Sequence, residues 1–139
     1  MLRQRNVSVD SMVEAGFALY VGKDDQEALA KLKTRFKKLL IKNAEDPNVA
    51  LLVAAAIYLD QLAEKESSGL LGKEKDPAAL VADELIGMSI AEYIAGKRGL
   101  FNYVRYDKAK PGILAHLPPF LDDAVAALVA ATMTRLFED

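Results

Sequence analysis

The sequence predicts an all-α fold, a compact bundle of about six helices that forms a single domain over residues 1–139. Three observations support this prediction. Apolar residues recur at three- and four-residue spacing along most of the chain, which is the period of an α-helix. No segment shows the sustained alternation of apolar and polar residues that is typical of a half-buried strand. Aspartate followed by proline, a common start of a helix, occurs at residues 46–47 and again at 76–77.

The first half of the chain predicts three helices. A short helix begins at about residue 9. Asp24 or Asp25 can cap a second, amphipathic helix through QEALAKLKTRFKKLLIKNAE, whose lysines form a solvated face. Asp46 caps the third helix, with Pro47 at its first helical position. Because this third helix is nearly all apolar, we expect it to lie at the centre of the bundle.

The second half predicts two further helices, separated by a long irregular segment. Asp76 caps and Pro77 opens the helix that continues through VADELIGMSI. The stretch from residue 95 to 119 contains several glycine and proline turn signals, so we expect mostly loop with short helical or extended pieces. The final helix runs through FLDDAVAALVAATMTRLF.

Composition excludes several classes of function. The net charge is −2, with 18 basic and 20 acidic residues mixed along the chain, so no basic surface is offered to nucleic acid or to an anionic membrane. The absence of cysteine excludes disulfides, thiol catalysis and cysteine-based metal sites. The N-terminus resembles no secretory signal, and no apolar run is long enough to span a bilayer. We therefore expect a cytoplasmic protein without a transmembrane segment.

Several carboxylates point towards the apolar faces of predicted helices. On a helical wheel, Asp83 lies along an apolar stripe and Glu84 lies at the edge of that stripe. Asp60 points to the apolar side of the third helix. Asp122 and Asp123 do the same in the last helix, although an aspartate near a helix start is often only a cap. A carboxylate removed from water must be paired, bind a cation or lose its charge.

If these stripes meet, repulsion between the carboxylates predicts a positive charge among them. A site built from oxygen ligands favours Mg²⁺ or Mn²⁺ over zinc. Arg105, Lys108 and Lys110 flank Asp107 on the predicted irregular segment. Cations beside metal-binding oxygens are what recognition of a phosphate group requires. Taken alone, the segment also fits an ordinary surface ion pair between Asp107 and a lysine.

Three motifs, which occur in the same order as in the family, resemble the phosphatidylglycerophosphatase A family. The segment KDPAALVADELIGMSIAEYIAG is similar to the family's Lys-Asp-Pro…Asp-Glu-x-x-Gly segment. RYDKAKPGI and FLDDAVAAL are similar to its Asp-x-x-Lys-Pro and Asp-Asp-x-x-Ala segments. The motifs span residues 75 to 128. The chain also resembles the compact archaeal members that are regarded as α-ribazole 5′-phosphate phosphatases in cobalamin assembly.

This resemblance implies an all-helical, Mg²⁺- or Mn²⁺-dependent phosphomonoester hydrolase. Its implied substrate is a small-molecule phosphate ester, first of all α-ribazole 5′-phosphate. The implied metal ligands are Asp60, Asp83, Glu84, Asp107, Asp122 and Asp123. The implied catalytic residues are Asp83, Glu84, Asp107 and Asp123. The residues implied to bind the substrate phosphate are Arg105, Lys108 and Lys110.

Two other functions stay open at this point. One is a phosphatidylglycerophosphate phosphatase of lipid metabolism, and the other is a non-catalytic helical module that binds metal. The hydrophobic content of 52% adds an expectation about assembly, because a small bundle cannot cover both sides of every apolar helix. We therefore expect a homo-oligomer, in the simplest case a dimer.

Overall fold

A computed structural model describes residues 1–65 and 81–138. Within these ranges the chain forms five α-helices, two short 3-10 helices and no strand. The 3-10 helices are Arg3–Arg5 and Gly112–His116. The all-α prediction is confirmed, with five α-helices in place of about six. The α-helices are α1 (Val9–Ala18), α2 (Gln26–Glu45), α3 (Pro47–Lys65), α4 (Ala82–Ala109) and α5 (Pro119–Leu136).

The predicted starts of the first three helices are confirmed. Asp25, and not Asp24, caps α2, where its side chain accepts a 2.7 Å hydrogen bond from a backbone N–H of the first turn. Asp46 Oδ1 accepts hydrogen bonds from two backbone N–H groups at the start of α3, with Pro47 as the first helical residue. The cap predicted at Asp76 lies outside the described residues.

The centre of the bundle is α5, so the prediction of a central α3 was wrong. Every residue from 120 to 133 is buried. By contrast, α3 exposes Leu51 and Tyr58 (70% and 59% of their surfaces) on the side away from the core. Apolar composition indicates that a helix can be buried, but which helix is central depends on how the helices pack against one another. The buried residues of α3 form one stripe: Val49, Val53, Ala56 and Asp60.

Helix α4 consists of two arms, residues 82–94 and 97–109, that fold back on each other. The backbone leaves the helical conformation at Ala95 and at Gly96, whose φ of 63° is readily adopted by glycine. Gly99 of the second arm lies against Ala91 of the first, since a Cβ on Gly99 would come within 2.7 Å of the Ala91 carbonyl oxygen. In a straight helix these two residues would be separated by roughly 12 Å.

The prediction of mostly loop for residues 95–119 was therefore wrong as far as residue 109. Its glycines mark the reversal of the chain and the close contact of the two arms. The reversal has a direct consequence for the candidate site. Asp83 near the start of the first arm and Asp107 near the end of the second are equally far from Ala95 along the chain, so they lie at the same end of the hairpin.

Candidate metal and phosphate site

A cleft of about 480 Å³ opens where both ends of α4 meet the start of α5. The side chains of Leu114 and Leu117, in and after the second 3-10 helix, line one part of it. Its polar lining consists of carboxylates from three helix ends and one lysine. The α4 hairpin therefore joins motifs that lie far apart in the sequence. The polar residues of the cleft are Asp83, Glu84, Asp107, Lys110, Asp122 and Asp123.

Asp107, Asp122 and Asp123 form the tightest group in the cleft. One carboxylate oxygen of each lies within 4.8 Å of the others. Asp122 and Asp123 are buried, with 7% and 3% of their surfaces exposed. Asp122 Oδ1 and Asp123 Oδ2 have no hydrogen-bond partner among the described residues. Buried polar atoms are normally paired, so converging oxygens with unused acceptor capacity fit a divalent cation such as Mg²⁺ or Mn²⁺.

Lys110 is the cation that faces this group. Its Nζ forms ion pairs with Asp107 Oδ1, at 3.3 Å, and with Asp122 Oδ2. Burial alone would lower the pKa of Lys110, but the hydrogen bonds and negative charges of Asp122 and Asp107 outweigh it and raise that pKa. Lys110 therefore keeps its positive charge at the edge of the cleft.

The protonation of the two buried aspartates follows from their surroundings. Burial raises the pKa of Asp122, and the ion pair with Lys110 offsets only part of this increase. The pKa of Asp123 is raised to about 9. Burial is the largest cause of this increase, followed by the neighbouring carboxylates of Asp107 and Asp83. Without a cation, the folded protein therefore keeps a proton on Asp123 at neutral pH.

This raised pKa predicts how the stability of the metal-free protein depends on pH. Between the unfolded value near 4 and about 9, folded Asp123 binds its proton more tightly than the unfolded chain does. The free energy of unfolding should therefore fall as the pH rises, by up to about 1.4 kcal/mol per pH unit. Urea denaturation in the presence of chelator at several pH values measures this slope. The slope should be smaller in Asp123→Asn, and equal slopes in the two proteins would contradict the assignment.

Asp60, a residue of α3, contacts the N-terminus of α5 and is not among the residues that line the cleft. Its Oδ1 accepts a 2.9 Å hydrogen bond from the backbone N–H of Phe120, and its Oδ2 accepts one of 2.8 Å from Leu121. The residue that precedes α5, Pro118, supplies no side-chain cap. Burial raises the pKa of Asp60, although these two hydrogen bonds act in the opposite direction. The proline pair at the start of α5 is the sequence signal from which a cap supplied by another helix could have been expected.

The structure brings only one of the three predicted phosphate-binding cations, Lys110, to the carboxylates. Arg105 Nη2 donates a 2.5 Å hydrogen bond to the carbonyl of Leu19, and Arg105 lines a separate cavity. Lys108 is exposed and is not among the described residues that line the acidic cleft. Helical geometry explains the separation, because Arg105 and Lys108 point roughly 200° and 100° away from Asp107 around the helix axis.

Tyr103 is a residue of this region to which the sequence analysis did not point. It lies one turn before Asp107 on the second arm of α4 and is buried, with 2% of its surface exposed. Gly87 on the first arm makes room for it, since a Cβ there would lie 2.5 Å from Cζ of the tyrosine ring. A glycine one turn after Asp83, facing an aromatic residue across a helical hairpin, is the signal that could have identified this contact.

Comparison with known proteins identifies the family. Residues 11–138 match the family model of phosphatidylglycerophosphatase A. The uncharacterized protein MJ1330 of Methanocaldococcus jannaschii is 39% identical over 131 residues, which cover 91% of this chain and all of that protein. The uncharacterized protein YutG of Bacillus subtilis is 32% identical over 146 residues, which cover 97% of this chain and 85% of that protein.

Solved structures show the same architecture. The low temperature requirement C protein from Listeria monocytogenes superposes with a TM-score of 0.71 and 27% identity, over 97% of this chain and 89% of that chain. A protein of unknown function from Bacillus stearothermophilus gives a TM-score of 0.73 and 27% identity, over 97% and 92% of the two chains. No α-helix within residues 1–65 and 81–138 has the length and hydropathy needed to cross a bilayer. Because the family model matches nearly the whole chain, the protein belongs to the phosphatidylglycerophosphatase A family.

Proposed function

We propose that this member of a phosphatase family is a divalent-metal-dependent phosphomonoester hydrolase with its active site in the acidic cleft. One observation carries the proposal. Asp107, Asp122 and Asp123 place carboxylate oxygens within 4.8 Å of one another, and two buried oxygens of this group lack a hydrogen-bond partner in the described structure. A site made only of oxygen ligands supports Mg²⁺ or Mn²⁺ rather than zinc.

Each polar residue of the cleft has a role in this proposal. Asp107, Asp122 and Asp123 hold the cation, and Asp83, which is half-buried beside them, completes its ligand set. When bound, the cation would neutralise charge on the phosphoryl group and lower the pKa of an attacking water. Among the described residues, Lys110 carries the positive charge that pairs with this group, so it binds a phosphate oxygen on the side of Asp107 and Asp122.

A carboxylate must also accept the proton of the attacking water. Glu84 is the exposed carboxylate of the cleft, whereas Asp122 and Asp123 are buried. A general base has to return its proton to solvent after each turnover, which an exposed side chain does most readily. We therefore assign this role to Glu84 and leave the buried carboxylates to hold the cation.

The substrate that we propose is a soluble phosphate ester, with α-ribazole 5′-phosphate as the first candidate and the lipid phosphatidylglycerophosphate as the second. The archaeal relative shares 39% of its residues with this chain, against 32% and 31% for the two Bacillus subtilis relatives. This difference supports the archaeal branch of the resemblance. The cleft volume of about 480 Å³ lies within the range of small-molecule sites.

The decisive experiment measures phosphate release from both candidate substrates with Mg²⁺, with Mn²⁺ and with excess chelator. We expect α-ribazole 5′-phosphate to be hydrolysed only when a divalent cation is present, because carboxylates alone repel the phosphoryl group. Full turnover in chelator would refute the metal-dependent mechanism. Hydrolysis of the lipid alone would move the substrate assignment to phosphatidylglycerophosphate. Cation binding without turnover of either substrate would favour the non-catalytic module.

Homo-oligomerisation stays a prediction, and the exposed apolar side chains support it. Leu51 and Tyr58 are exposed two turns apart on α3, and Leu85, Phe101 and Val104 are exposed on the two arms of α4. Phe101 alone leaves 75% of its surface accessible. Clusters of exposed apolar side chains on a small protein often mark an interface, and a two-fold contact needs only one self-complementary surface.

A further inference from the structure

The hydroxyl of Tyr103 is a buried polar group that has no partner within residues 1–65 and 81–138. The side chain is almost completely enclosed, yet Oη has no hydrogen-bond partner among the described residues. Only two other buried side-chain atoms of the described structure share this property, Asp122 Oδ1 and Asp123 Oδ2. All three belong to the same end of the bundle. Leaving a buried donor unsatisfied is costly, so the position of this hydroxyl requires an explanation.

Packing across the α4 hairpin fixes the ring of Tyr103. Gly87 faces the end of the ring, and the Cβ of any other residue there would overlap Cζ and Cε1, at 2.5 and 2.8 Å. The hydroxyl therefore lies between the two arms of α4, near the ends that carry Asp83 and Asp107. An enclosed ring cannot turn its hydroxyl to solvent. Among the described residues, the charged groups that act on this hydroxyl are the carboxylates of the cleft.

The surrounding charges favour the neutral, donating form of this hydroxyl. Burial raises the pKa of Tyr103, and the charge of Asp123 is the next cause, followed by those of Asp107, Glu84 and Asp83. The phenol therefore remains protonated and has one hydrogen to donate. Asp123 Oδ2 is a buried acceptor that has no partner in the described part of the chain. Of the neighbouring charges, that of Asp123 raises the pKa of Tyr103 the most.

We propose that Tyr103 is a positioning residue of the cation site, whose hydroxyl, unpartnered among the described residues of the metal-free protein, donates a hydrogen bond to the Asp123 carboxylate when the cation is bound and so holds that carboxylate in place. The inference rests on the proposed function, since it assumes that the acidic cleft binds a divalent cation. Carboxylates that bind metal are commonly held by a hydrogen bond from a neighbouring side chain, which fixes their orientation and lowers the cost of binding.

The test compares two conservative variants, Tyr103→Phe and Tyr106→Phe. Tyr106 is the matched control because it is a buried tyrosine on the same arm, with Oη donating a 2.5 Å hydrogen bond to the carbonyl of Gly16. Electron paramagnetic resonance of free Mn²⁺ gives the affinity of each protein without any enzymatic assay. We expect Tyr103→Phe to bind Mn²⁺ roughly 10-fold more weakly than the wild type. Tyr106→Phe should keep the wild-type affinity.

Urea denaturation in chelator should give the opposite pattern. Tyr103→Phe removes an unpartnered hydroxyl, so its midpoint should equal or exceed that of the wild type. Tyr106→Phe leaves the carbonyl of Gly16 unpaired, so its midpoint should fall. Equal Mn²⁺ affinity in the wild type and Tyr103→Phe would overturn the inference while the proposed function stands. Equal weakening in both variants would also overturn it, because it would indicate general loosening of α4. A wild type that binds no Mn²⁺ would overturn the proposed cation site and this role together.

Discussion

Replacing Asp123 with asparagine should lower phosphomonoesterase activity by about 1,000-fold while making the metal-free protein more stable. The loss of activity follows from the loss of a charged cation ligand at the tightest part of the cluster. The gain in stability follows from burial, since Asp123 is 3% exposed and its pKa is raised to about 9. Asparagine has the same shape and avoids the cost of protonating this carboxylate on folding. At pH 7 that cost is about 1.4 kcal/mol for each of the roughly three pH units above the unfolded pKa, or roughly 4 kcal/mol.

Initial rates at saturating Mg²⁺ and urea denaturation in chelator measure the two effects. Asp10→Asn is a matched control, because Asp10 is exposed and pairs with Lys37 on the surface of α1 and α2. That variant should keep the activity of the wild type and should change stability by less than about 1 kcal/mol. If Asp123→Asn lost stability instead, Asp123 would hold the fold together, and the site assignment would fail.

Opposite effects on activity and stability are expected wherever function requires an unfavourable group. Asp122 lies in the first turn of α5 and Asp123 follows it directly, and the helix is buried on every side as far as residue 133. The most enclosed helix of the bundle thus begins with two carboxylates, which have one lysine, Lys110, near them. A protein selected for stability alone would place apolar residues there. This contrast supports the role that we propose for the cluster.

Much of the site could be predicted because helical periodicity assigns side chains to faces. The wheel directed Asp83, Asp122 and Asp123 towards the core, and the structure brings them together with Asp107. The all-helical fold and the starts of α2 and α3 followed from local signals of caps and proline. These predictions depend only on interactions within one helix, and such interactions can be inferred from the sequence alone.

The features that were missed depend on contacts between helices. Gly96 reverses the chain and Gly99 lies at the contact between the two arms, whereas local rules interpret both glycines as turns. The direction of Arg105 depends on the carbonyl of Leu19, which lies in a distant part of the sequence. The buried hydroxyl of Tyr103 likewise has meaning only once Gly87 lies opposite it. Tertiary contacts, and not propensity, decide all three.

Replacing Asp60 with alanine should lower the free energy of unfolding by roughly 3–5 kcal/mol. The side chain is 2% exposed and both of its oxygens accept backbone hydrogen bonds, from Phe120 and Leu121. Without them, two buried N–H groups at the start of the central helix lose their acceptors, and Pro118 offers no replacement. Asp60→Asn should lose less, roughly 2 kcal/mol, because its amide keeps one acceptor but turns a donor towards the second N–H.

The asparagine variant also decides between the two roles of Asp60. The resemblance to the family implies a metal ligand, whereas the hydrogen bonds indicate a cap that holds the first turn of α5. If Asp60 is a cap, Asp60→Asn lowers the urea midpoint strongly and leaves the Mn²⁺ affinity of the folded protein within about threefold of the wild type. If Asp60 is a ligand, affinity falls more than about 10-fold with little change in the midpoint. Both quantities can be measured on one protein well below its unfolding transition, so the two roles give opposite results.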